Sequence, residues 1–98
     1  MDIKQLKDIL FQLSELDNDW FSAQNTNDKR KRAKRISSAR NAIVNYARCL
    51  PEEVIVFLEN NVGTNALQYQ HVGDDISRSV KAIEGWISVL SNSDKFND

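Results

Sequence analysis

The 98 residues are 41% hydrophobic and 28% charged, with a formal net charge of -1, the composition of one globular domain rather than a disordered chain. No apolar run approaches the roughly 20 residues that span a bilayer, and the amino-terminal stretch MDIKQLKDILFQL is interrupted by charge where a signal peptide would be apolar. A single cysteine, Cys49, excludes an internal disulfide framework and predicts a reducing, cytoplasmic setting, with the nucleus a destination only in a eukaryotic host.

Ile3, Leu6, Leu10, Leu13, Leu16 and Trp20 recur at three- and four-residue steps, which predicts a first helix over about residues 2 to 23. Lys4, Asp8, Gln12, Glu15 and Asp19 take its wet face. Phe11 falls among them and is a candidate contact residue. Residues 23 to 28, Ala-Gln-Asn-Thr-Asn-Asp, gather turn formers and helix caps. A second helix is expected over about 27 to 49. At ~100° per residue, Ile36, Ala39, Ile43, Tyr46, Ala47 and Leu50 share one side of it. Arg30, Lys31, Lys34, Ser38, Asn41 and Asn45 share the other.

Leu50-Pro51-Glu52-Glu53 restarts a helix, because proline suits a first turn and acids complement the positive end of the dipole. Val54 to Leu58 is apolar on every side, so this short element is expected to be the most buried. Its β-branched residues would also suit a strand, but Asn60-Asn61-Val62-Gly63 reads as a helix stop. Residues 64 to 73 read either as a loop or as one or two helical turns. A last helix begins near Asp74, with Ile76, Val80, Ile83, Ile87 and Leu90 forming a bundle seam. Residues 92 to 98 are expected to fray. The sum is an all-α single domain over residues 1 to 91: a small antiparallel bundle of three to four helices, with a long hairpin, a short buried helix and a closing helix.

Chemistry-bearing clusters are sparse. One histidine, His71, and Cys49 cannot supply a zinc site, and the pair lacks a third group to orient it as nucleophile and base. Gly63, Gly73 and Gly85 are too dispersed for a phosphate-cradling loop. Glu52 with Glu53 and Asp74 with Asp75 sit at helix starts, where capping accounts for them. No enzyme, cofactor, metal or membrane partner is expected.

The charge distribution is the informative feature. Six of the seven residues from Lys29 to Arg35 are cations, and residues 29 to 50 carry eight Lys or Arg and no acid. The other 76 residues hold all 14 acids and five cations. Cations at a helix start oppose its macrodipole, while Glu15, Asp17 and Asp19 are misplaced at the end of the first helix. In a hairpin the two sets would face each other, so internal pairing is the favoured expectation. The leading functional expectation is then a non-enzymatic protein-binding module of small regulatory, antitoxin or immunity type, self-associating as a homodimer. Its contact candidates are Phe11, Trp20, Tyr69 and Trp86.

The alternative is a nucleic-acid binder using the basic helix at residues 29 to 48. Lys29, Arg30, Lys31, Lys34 and Arg35 would neutralise phosphates, and Ser37 and Ser38 would donate to them. No aromatic is interleaved among these cations to stack bases. A helix-turn-helix over Leu58 to Val72 is disfavoured, since TNALQYQHV has no Lys or Arg. KRKRAKR also resembles a short nuclear-import signal.

Overall fold

The computed structural model describes residues 1 to 97, with side chains described through residue 92. Four helices follow in order: α1 (Ile3–Gln24), α2 (Lys29–Arg48), α3 (Glu52–Asn61) and α4 (Val72–Asn97). No strand occurs among the described residues, so Val54 to Leu58 is helical despite its β-branched side chains. The fold is a small all-α bundle in which α1 packs against both α2 and α4. It is elongated, 55 by 23 by 18 Å.

Local chemistry sets the helix limits. Asp2 caps α1, its Oδ1 accepting from the Gln5 amide at 2.8 Å, as an acid at that position should. Four residues, 25 to 28, then reverse the chain, so α1 and α2 run antiparallel. Gly63 ends α3 at φ +152°, a conformation open to glycine and strained for other residues.

The core is one apolar cluster, with Leu6, Leu13, Ile43, Val54 and Ile83 fully enclosed. Trp20, 7% exposed, lies near the end of α1 with its ring against the start of α4. A Cβ built on Gly73 would stand 2.8 Å from the Trp20 Cζ2. Only glycine permits that approach. The contact places the first turn of α4 beside the last turns of α1, so these two helices are also antiparallel.

One expectation about α3 needs correction, and one open choice beside it is decided in favour of a loop. The short helix is not the most buried element: Val54 and Leu58 are enclosed, but Val56 is 48% exposed. It packs on the outside of the bundle, against α4, so only one of its sides is covered. Residues 63 to 71 form no helix. They make successive tight turns, with Ala66, Gln68 and His71 amides donating to carbonyls three residues back.

Asn65 and Leu67 both take positive φ, 63° and 62°, and Leu67 is 1% exposed. Such a conformation costs a β-carbon residue about 1–2 kcal/mol. The Asp75 carboxylate holds it, accepting the buried Leu67 amide at 3.1 Å. Asp75 therefore does more than complement the α4 dipole.

Helix α4 begins at Val72, a turn-half earlier than Asp74, because the Asp75 amide already donates to the His71 carbonyl. Its backbone continues helically through residues 92 to 97, where fraying is expected; that stretch holds neither proline nor glycine to interrupt it. Asp98 lies outside the described residues.

Candidate nucleic-acid interface

The start of α2 solves its dipole problem with one residue. Asp28 is the N-cap, and its Oδ1 accepts from the Arg30 and Lys31 amides at 2.9 and 3.0 Å. That carboxylate satisfies two orphan donors and places negative charge at the positive pole. The six cations that follow can then project outward at little cost to the helix.

They do so. Lys29, Arg30, Lys31, Lys34 and Arg35 are exposed, and Arg32, on the core side, is half-buried. Among the described residues one ion pair forms within 4.0 Å, between the Met1 amino terminus and Glu53 at 3.3 Å. The expected pairing of the basic run with Glu15, Asp17 and Asp19 is therefore absent.

The reason lies in the pitch of α1. At ~100° per residue, acids two positions apart cannot share a face. Asp17 lies in a groove toward α4, beside Gly73 and Ser77, while Asp19 lines a groove shared with α2. The surfaces on which the two helices actually meet are filled by Leu6, Leu13, Ala39 and Ile43. An exposed pair is worth only ~0.2–1 kcal/mol, too little to draw long side chains inward.

A shallow groove does run between the end of α1 and the start of α2. Ala23, Ala39 and Ala42 form its floor, with Ser22 and Ser38 beside them and Asp19, Lys34 and Arg35 at the rim. Arg35 is oriented there by its Nη1, which donates to Thr26 Oγ1 at 3.3 Å. Thr26 Oγ1 in turn donates to the Ser22 carbonyl at 3.1 Å. The sequence offers little sign of this groove, because its flatness comes from three alanines scattered over two helices.

The four aromatic contact candidates part company. Trp20 is a core residue and not a surface anchor: its large ring closes the end of the bundle over Gly73. Tyr69 is 56% exposed. Both flank Arg40, whose guanidinium carbon stands 5.6 Å from the Trp20 ring centroid and 5.0 Å from that of Tyr69. Side chains on a helix lean toward its amino terminus. In an antiparallel pair Arg40 and Trp20 consequently lean toward each other, and the turn segment is clamped on top. Trp86 is half-buried and stacks on Phe57, ring centroids 4.3 Å apart. Phe11, 61% exposed, stands on the outer face of α1.

Of the residues with possible chemistry, Cys49 is exposed at the end of α2, and His71 is exposed before α4. Among the described residues no three of His, Cys, Asp or Glu gather in a metal-holding group, and no helix is long and apolar enough to cross a membrane. Burial pushes the Tyr46 phenol above its ordinary value of 10.0, with Asp8 and Cys49 adding to the rise. Comparison of the chain with protein-family models, with curated proteins and with solved structures finds no match.

Proposed function

We propose that this protein is a non-enzymatic binder of nucleic acid, gripping the sugar-phosphate backbone with the amino-terminal half of α2. One observation carries the reading: five exposed cations within two helical turns, none with a described carboxylate within 4.0 Å. A polyphosphate carries a condensed layer of counterions, and free cations that neutralise its phosphates release those ions to solvent, which drives binding. Arg30, Lys31 and Lys34 share one face with Ser38, Asn41 and Asn45, which supply uncharged donors to phosphate oxygens. Carboxylates on α1, α3 and α4 repel a strand from the remaining surface, so the partner is steered onto α2. No aromatic lies among the cations, and recognition is therefore of backbone rather than base.

The test is fluorescence anisotropy of a labelled oligonucleotide of about 20 nucleotides at roughly 50 mM salt. Micromolar binding is expected. Replacing Arg30, Lys31 and Lys34 together by Gln should weaken it at least about tenfold while leaving the circular dichroism unchanged, since all three are exposed. A wild-type protein that ignores the oligonucleotide at low salt overturns the reading.

A protein-binding or self-associating module is the second reading. It is supported by Trp86 and Val89, one turn apart on α4, with Val89 63% exposed, and by Phe11 and Tyr69. Light scattering that gives twice the monomer mass, reduced to one by Val89→Lys, would favour it.

A further inference from the structure

Within the reading just given, on which this inference rests, the groove between α1 and α2 holds a chemical contradiction. Lys34 and Arg35 attract phosphate on its α2 side, yet Asp19 lines its α1 side with no described cation within 4.0 Å. An ionised carboxylate has no hydrogen to give and can only accept. Against a DNA backbone, which along its length offers acceptors alone, Asp19 repels and gains nothing. Against RNA the position is reversed, because the ribose 2′-hydroxyl is a donor on every nucleotide and is the group by which a protein tells the two polymers apart.

We propose that Asp19 makes the protein selective for RNA, accepting a hydrogen bond from a ribose 2′-hydroxyl while Lys34 and Arg35 hold the neighbouring phosphate. The groove suits that task. Its alanine floor, Ala23, Ala39 and Ala42, lets a sugar approach the two helices closely, and Ser22 and Ser38 offer hydroxyls beside it. Arg35 is held at the rim by Thr26, which fixes the cation relative to the acceptor. A hydrogen bond from a neutral donor to a charged acceptor is of the stronger class, and an unpaired carboxylate facing phosphate is penalised. Both effects favour the ribose strand.

The experiment compares single strands of identical base sequence: oligouridylate, its deoxy counterpart and its 2′-O-methyl form, each about 20 nucleotides long, against the wild type and Asp19→Ala. The wild type should bind the ribose strand at least about tenfold more tightly than either of the others. Weaker binding of the 2′-O-methyl strand than of the ribose strand separates the hydroxyl donor from strand shape. Asp19→Ala should tighten binding to the deoxy strand and bring the three affinities together. Asp19 is exposed and close to the negative pole of α1, so its removal does not threaten the helix, and the ratio of affinities cancels the general effect of one less negative charge. Equal wild-type affinities for all three strands, or a ribose preference that survives Asp19→Ala, overturn the inference and leave the binding function standing. Absence of binding to every strand overturns both.

Discussion

Gly73 and Gly85 both lie on α4, twelve residues apart, and should respond to the same substitution with opposite signs. A Cβ at Gly73 would meet Trp20 Cζ2 at 2.8 Å, well inside the 3.4 Å at which ordinary contact begins, while a Cβ at Gly85 meets nothing within 4 Å. Trp20 cannot swing aside, since it is 7% exposed and Arg40 stacks near its ring. Overpacking of this kind costs about 1–3 kcal/mol, whereas alanine for an exposed helical glycine gains about 1 kcal/mol. For a domain this size each kcal/mol moves the melting temperature by about 4–8 °C.

Thermal unfolding followed by circular dichroism should show Gly85→Ala melting about 4–8 °C above the wild type, and Gly73→Ala melting below it by roughly 4 to 24 °C. Adding Trp20→Leu, which empties the space beyond the ring's near edge, should abolish most of the penalty at position 73. If Gly73→Ala stabilises as much as Gly85→Ala, the packing that seats α4 against the end of α1 is wrong, and the placement of Asp19 and its groove loses its frame.

Other substitutions probe the clamps around the site. Asp75→Ala leaves the buried Leu67 amide without its acceptor and should cost about 1–3 kcal/mol in urea unfolding, with Asp75→Asn avoiding much of that loss because an amide oxygen still accepts. Arg40→Ala removes two ring contacts and should destabilise by about 1–2 kcal/mol, and it should also increase protease cleavage of the turn segment near Tyr69 if the clamp holds that segment. Tyr46 has a folded pKa raised above its unfolded value, so the neutral phenol is the form the fold favours. Its contribution is intact below pH 10.0 and declines as the pH climbs past that value. Stability measured between neutral and alkaline pH should then fall less steeply for Tyr46→Phe than for the wild type.

How far the sequence carried these conclusions depended on the length scale of each feature. Helical periods over twenty residues are strong signals: Leu6, Ile9 and Leu13 place α1, and Ile36, Ala39 and Ile43 place α2, within two residues at both ends, while Ile76 and Ile83 place the start of α4 within two but not its end at Asn97. The turn segment resisted reading because its shape rests on Leu67 at φ 62°, held by a carboxylate eight residues away. No local propensity predicts a leucine there. Trp20 was legible as large and apolar but not as enclosed, since Gly73, which makes room for it, lies on another helix.

The charge pattern misled most. Opposite blocks at a hairpin tip suggest pairing, yet pairing depends on which way each acid points around α1, and the two-residue spacing of Asp17 and Asp19 sends one toward α4 and the other toward α2. Arg40 counted only as charge until the lean of two antiparallel helices brought it between Trp20 and Tyr69.

The central claim is that the cations of α2 stand free in water and are available to phosphates. The slope of binding affinity against salt concentration counts them. Three to five simultaneous contacts on a single strand give a slope of about -2 to -3.5 in log–log form, and hence an affinity loss of roughly 20- to 130-fold between 50 and 200 mM salt. That range is the account's expectation, with a slope reduced by about 2 in the protein lacking Arg30, Lys31 and Lys34. Affinity that holds level across the same titration would mean that those side chains touch no phosphate, and the account would fail.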